Sequence, residues 1–252
     1  MSEMVKIISK VILEATREDG TVRGYLSKQK KWEGKQRKDF SDFREILRRG
    51  VIAEIQQVGV ERLRELNASY RTRFPGRCVP GFVEVVANHL TGEDWGRKDP
   101  TILFADDVDI SATQAFIPKV LDALYRDPRV HRHGYSLLTK FLHFIYPESF
   151  PIYDSQAAAS IQMWSYFEYR KEAPGKHAWG TLADLSGHGY AGVMDFYTQF
   201  WSSATQDHRK QLTDAAEQRQ SEIGGRVTAL DLVDKLLWQA AGHPVHLGLL
   251  TP

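Results

Sequence analysis

The sequence predicts an all-α fold. Apolar residues recur at helical spacing through most of the chain, and no stretch alternates as a half-buried strand would. Glycines and prolines fall where the periodic runs stop, as at Gly50 and Pro147. At 252 residues, with 42% hydrophobic and 26% charged, the chain has ordinary globular composition and enough length for a large core. It suits one large helical domain or two lobes sharing a cleft. The expected division is residues 1–110, a helical lobe with a basic arm, and residues 111–252, a second helical lobe.

The elements follow in order. The opening residues, with Val5, Ile8, Val11 and Ile12 among charges, read as an amphipathic helix and not a signal peptide. A turn at Asp19-Gly20 and the basic segment come next. Phe40, Phe43, Ile46 and Leu47 predict a helix over Ser41–Arg49 that Gly50 stops. Ile52, Ile55, Val58, Leu63 and Leu66 predict another over Val51–Arg71. Residues 73–80 read as a loop, 81–89 as a short helix and 92–100 as a loop. Thr101–Ala105 reads as either strand-like or helical. Ser111, a candidate N-cap, opens a helix to about Tyr125. Val130–Tyr146, Ser155–Lys171, Tyr190–Ser203, His208–Ser221 and Val227–Ala241 complete the helices, with an irregular piece over Ala173–Gly189. Leu138, Leu142, Ile145, Leu230, Val233 and Leu237 are the expected core positions.

Charge is distributed unevenly. Residues 1–80 hold 18 Lys or Arg against 11 Asp or Glu, and the remainder 15 against 21. The cations are densest at Lys28, Lys30, Lys31, Lys35, Arg37 and Lys38, with Trp32 between them. Such a run neutralises phosphates and offers a ring for stacking, or else it is a solvated helix end. Arg132 is a further candidate phosphate contact. Contact with a nucleic acid is therefore expected at this segment, with the protein acting as a monomer.

Several classes are disfavoured. One cysteine, Cys78, allows no intrachain disulfide and no cysteine-ligated metal cluster, and fits a reducing cytoplasm. No apolar run approaches the roughly 18 residues of a membrane span. Asp106, Asp107 and Asp109 lack the glycine and distal glutamate of a calcium loop and suit a helix entry better. His131, His133 and His143 do not have the three- or four-residue spacing of ligands on one helix turn, so no metal or other cofactor is expected. The chain contains no G-x-S-x-G elbow, Walker loop or H-E-x-x-H.

The chemistry-bearing segment is Gly134–Ala157, GYSLLTKFLHFIYPESFPIYDSQA. Pro147 and Pro151 end one helix, and Asp154 falls at the entry of the next. At about 100° per residue, Leu138, Phe141, Leu142 and Ile145 share an apolar face. Lys140 lies opposite with His133, Ser136, His143 and Phe144. Two readings stand for each charged residue. Lys140 is a solvated lysine or lines a cleft; Asp154 is an N-cap worth about 1 kcal/mol or a reacting carboxylate.

The run TKFLHFIYPESFPIYDSQ resembles the lysine-to-aspartate segment of the helix-hairpin-helix DNA glycosylase superfamily, in particular its divergent bacterial relatives. Ala229–Gly242, ALDLVDKLLWQAAG, resembles the closing helix of such chains. No L-P-G-V-G hairpin precedes the aspartate. The resemblance implies a two-lobed helical fold with a central cleft and a DNA glycosylase that flips out and excises a damaged or modified base. The setting would be repair or defence against modified foreign DNA.

Its mechanism follows from charge. Breaking a base–sugar bond builds positive charge on the sugar, which a carboxylate in a water-poor site stabilises; Asp154 takes that role. Lys140 attacks the sugar as an amine, giving a Schiff base and strand nicking, or it holds a phosphate. A flipped base needs a planar clamp, for which Tyr153, Gln156, Trp164 and Tyr190 are candidates, with His133 and His143 at the same polar face.

Overall fold

The computed structural model describes residues 30–70, 72–92, 100–106, 108–132, 134–153 and 189–242. Among them there are eight α-helices, one 3-10 turn and no strand, so the chain is all-α there. The expected helices over 1–19 and Ser155–Lys171 and the irregular piece over Ala173–Gly189 lie outside these residues, apart from Gly189, which opens a helix.

Helix α1 is Lys30–Arg49, eleven residues longer than the expected Ser41–Arg49. The basic run is thus helix from its third residue onward. Its charges hid an inward face made of Gln36, Arg37, Phe40, Phe43, Arg44 and Leu47, all buried. Gly34 allows this placement: a Cβ there would lie 1.9 Å from the Ile223 carbonyl oxygen, so only glycine fits. Gly50, at φ +72°, ends the helix in the left-handed region.

Helix α2 is Ile52–Tyr70 and α3 is Val79–Thr91, entered through a 3-10 turn, Gly76–Cys78. Pro80 sits in the first turn of α3, where its missing N–H costs nothing. Asn67 closes the intervening loop, donating to the Phe74 carbonyl at 2.8 Å and accepting from its amide at 3.1 Å. Residues 101–105 are neither strand nor regular helix but a bend laid along the proline turn, where Leu103 N–H donates to the Glu148 carbonyl at 2.9 Å.

Helix α4 is Ser111–Arg126. Ser111 is its first helical residue and not the cap; Asp109 accepts from the Ser111 amide at 2.9 Å, the helix-entry role expected for this acid. Helix α5 is Tyr135–Ile145, starting later than the expected Val130 because the preceding chain turns through His131 and Gly134 in left-handed geometry. Helix α6 is Gly189–Ser203, α7 is Gln206–Ile223 and α8 is Ala229–Gly242. Thr205 caps α7, its hydroxyl accepting from the His208 amide at 3.3 Å.

Helix α1 is the hub, touching α2, α3, α5 and α7. Its Phe40 and Phe43 meet Phe141 of α5, both at 5.8 Å between ring centres, and Phe82 of α3 meets the same ring at 6.2 Å. The expected core residues Leu138, Leu142, Ile145, Leu230 and Val233 are buried here. The side chain of Leu237 lies outside the description.

Candidate functional site beneath the proline turn

Helix α5 has no solvent face beyond its first turn. Residues Leu137–Ile145 are all buried, because α1 lies over the side that the helical wheel left polar. Phe144 packs on Phe40 at 5.2 Å, and the Arg37 guanidinium sits 5.4 Å over the Phe144 ring. Lys140 is therefore not solvated. At 5% exposure it donates to the Ser136 hydroxyl at 2.7 Å and stands 5.6 Å from the centre of the Tyr70 ring.

His143 is more deeply set. Its Nδ1 lies 2.7 Å from the Phe150 carbonyl oxygen and its Nε2 2.6 Å from Asp231 Oδ1. A carbonyl and an ionised carboxylate can only accept, so both ring nitrogens must donate and the ring is an imidazolium. Burial opposes that charge, but the charge and hydrogen bond of Asp231, with Asp234 behind, outweigh burial and the nearby Arg37 and raise its pKa.

Asp231 gathers donors on both oxygens. Oδ1 accepts from His143 and from Arg37 at 2.6 Å; Oδ2 accepts from the Thr228 amide at 2.8 Å and lies 3.0 Å from its hydroxyl. The Thr228 hydroxyl also accepts from the Asp231 amide at 3.2 Å, so the residues form a capping box that starts α8. Burial disfavours the Asp231 carboxylate, yet Arg37 and His143 together hold its pKa well below the usual range. One helical turn on, Asp234 accepts from the Ile152 amide at 2.9 Å and from the Tyr197 hydroxyl, with His143 Nδ1 3.4 Å away. Burial pushes its pKa up to about 7, against the pull of His143, Tyr197 and Ile152 and with the push of Asp231.

The same turn is held at further points. The Tyr190 hydroxyl donates to the Pro151 carbonyl at 3.0 Å. The Thr139 hydroxyl accepts from the Tyr153 amide at 3.1 Å and donates toward the Tyr153 carbonyl at 3.2 Å or the more distant Ser136 carbonyl. Glu148 pairs with Arg44 at 2.8 Å and Arg226 at 3.3 Å. Tyr135 stands 5.1 Å from Tyr153 and 6.2 Å from Tyr190, and burial raises the pKa of Tyr135 and Tyr190.

The sequence-derived residues thus divide. Lys140, His143, Tyr153 and Tyr190 converge around α5 and the turn. Arg37, expected on phosphate, instead points inward, bonded to Asp231 and to the Arg226 carbonyl at 3.0 Å. Lys35, Lys38 and Arg132 are exposed. Lys30 and Lys31 open α1. Lys28, His133, Asp154, Gln156 and Trp164 lie outside the described residues. Asp231, Asp234, Thr228, Tyr197 and Thr139 were not singled out from sequence. Their signal was present in part: Thr228 and Asp231 have capping-box spacing, and Asp231 and Asp234, three apart, share a helix face. Among the described residues no cluster of three or more His, Cys, Asp or Glu side chains could hold a metal, and no helix is long and apolar enough to cross a membrane. Compared with protein-family models, curated proteins and solved structures, the chain shows no match.

Proposed function

We propose that this protein is a DNA glycosylase that excises a damaged or modified base, with Asp154 as the reacting carboxylate and Lys140 as the neighbouring cation. The observation that carries the reading is the pair of contacts between Thr139 and the backbone of Tyr153. They tie Tyr153, which precedes Asp154 in the sequence, to Thr139, which precedes Lys140. Tyr135, half-buried and packed on the closed rings of Tyr153 and Tyr190, supplies planar surface next to Tyr153. The exposed cations Lys35, Lys38 and Arg132 supply contacts for a phosphate backbone. In this reading residues 1–110 and 111–252 form two lobes, and a single copy binds DNA in the cleft between them.

The chemistry follows from charge. The base leaves with the electron pair of the base–sugar bond, the sugar carbon becomes cationic, and the carboxylate stabilises it until water adds and gives up a proton. If the Lys140 amine adds in place of water, a Schiff base forms and the strand is nicked.

The burial of Lys140, His143 and Arg37 favours a second reading, a helical nucleic-acid-binding protein without chemistry. One experiment separates the two. The protein is incubated with DNAs carrying different modified bases, and released base is measured by mass spectrometry. Under the first reading base appears, and Asp154→Asn lowers its rate by about 100- to 1000-fold with DNA affinity retained. A helix cap would tolerate that change, since Asn caps as well as Asp. Borohydride trapping of the parent but not of Lys140→Gln would assign the amine. Salt-dependent binding with no released base would establish the second reading.

A further inference from the structure

We propose that the His143–Asp231–Asp234 network is a positioning device: it fixes residues 150–153 as a rigid lead-in to the candidate carboxylate and acts on the rate of the reaction, not on affinity for DNA. This rests on the reading of Asp154 above.

Residues 150–153 have no regular secondary structure, yet side chains from other elements hold their polar backbone groups. His143 of α5 donates to the Phe150 carbonyl and Tyr190 of α6 to the Pro151 carbonyl. Asp234 of α8 accepts the Ile152 amide, and Thr139 of α5 takes the Tyr153 amide. Proline 151 has no amide to satisfy. A buried irregular segment needs its backbone groups paired, but it does not need charges to do so. Here the charges of Arg37, His143, Asp231 and Asp234 are all withdrawn from water. Apolar residues of similar volume would often be as stable or more so, because desolvation offsets the attraction within a buried ion pair. What such a network adds over apolar packing is direction, since each donor and acceptor accepts its partner only along a narrow angle.

Protonation is built into the device. Asp234 faces His143 from α5, Tyr197 and Tyr190 from α6 and Asp231 on its own helix, while Arg37 of α1 and Lys235 bear on Asp231. A proton on Asp234 weakens its grip on the Ile152 amide and removes the charge beside His143. Loss of that proton therefore tightens the hold of Asp234 on the Ile152 amide.

The test is amide hydrogen exchange on the full chain, read together with base release. Asp234→Ala should speed exchange at Ile152 and Tyr153 by about ten-fold or more, the factor for losing a hydrogen bond to a charged group. Amides of α3, such as those of Val83 and Val86, should change by less than about two-fold. Asp234→Asn, whose amide oxygen still accepts from Ile152, should restore most of the protection and serves if the alanine variant does not fold. In Asp234→Ala the turnover rate should fall with DNA affinity unchanged, Asp234→Asn should recover most of that rate, and the pH dependence of the parent rate near neutrality should vanish in Asp234→Asn. Exchange that rises equally in α3 and in the turn would overturn the proposal, leaving an ordinary stabilising network. Absence of base release by the parent would overturn the glycosylase reading instead, and local exchange would still decide whether the clamp exists.

Discussion

Between α1, α2 and α3 the interior is carbon: Phe40, Phe43, Ile55, Leu63, Leu66, Phe82 and Val86 are each at most 1% exposed, and the rings of Phe40 and Phe82 meet Phe141 of α5 edge to face. Beneath the proline turn the interior is a mesh of Arg37, His143, Asp231, Asp234, Thr228 and Tyr197. Both regions are buried, apart from Thr228 at the edge of the mesh, which is half-buried. The first is held by area removed from water, which is nondirectional and indifferent to pH. The second is held by paired charge, which is directional and depends on every partner being present in the right protonation state. One helix, α1, serves both, giving phenylalanines to the first and Arg37 to the second. A single segment can therefore be essential for two unrelated physical reasons.

The sharpest way to break the comparison is to remove one member from each side. Asp231→Ala strands Arg37 and His143 without their carboxylate and should cost about 3–5 kcal/mol at neutral pH. Leu63→Ala leaves a cavity in the carbon region and should cost about 2–5 kcal/mol. Urea denaturation measures both. The costs overlap at one pH, but only that of Asp231→Ala should change when the measurement is repeated across pH. Parallel curves for the two variants would mean that the mesh behaves as plain packing.

The parent should show the same distinction. Asp234 keeps its proton to about 7 in the folded chain, whereas a free carboxyl releases it near 3.8. The folded state binds the extra proton between those values, so its contribution falls as pH rises through that window, with a slope approaching about 1.4 kcal/mol per pH unit. His143, raised above its ordinary 6.5, stabilises the folded state most fully below that value and acts in the same direction as pH rises beyond it. Asp231, lowered from 3.8, contributes above that value and is lost as pH falls below it. Stability should therefore peak near pH 4 and fall from there toward and beyond pH 7, and Asp234→Asn should flatten that descent. A parent whose melting temperature is level from pH 4 to 8 would contradict this assignment.

The carbon region was legible in the sequence and the mesh was not. Helix α2 and the core positions Leu138, Leu142, Ile145, Leu230 and Val233 follow from spacing of three and four, because the apolar pattern of a helix is a local property. Arg37 finds its partner 194 residues away. Seen locally, it belongs to a basic run. That is why α1 was expected to begin at Ser41 and why Lys140 and His143 were assigned to an open polar face. The wheel of α5 identified its polar side correctly as polar; it could not show that α1 covers that side. Asp154, on which the chemistry of the proposed reading turns, remains legible only from sequence.

The smallest expected effect separates the two faces of α1 itself. Lys35 and Lys38 are exposed while Arg37 between them is buried. If the outer face meets DNA, replacing both lysines by glutamine should weaken binding by a similar factor on every sequence. Each lost phosphate contact releases about 0.9 fewer counterions, so the slope of log affinity against log salt should become shallower by about 1.8. Folding stability should move little, since exposed charges of this kind contribute within about 0.5 kcal/mol. Arg37→Gln should do the reverse, lowering stability through the loss at Asp231 while the salt slope of the folded fraction stays unchanged. The contrast matters more than either value alone, because a basic run read as one patch predicts the same behaviour for all three residues. An unchanged slope in the double lysine variant would mean that this face of α1 is turned to water or to a protein, and the cations that bind DNA would have to be sought elsewhere.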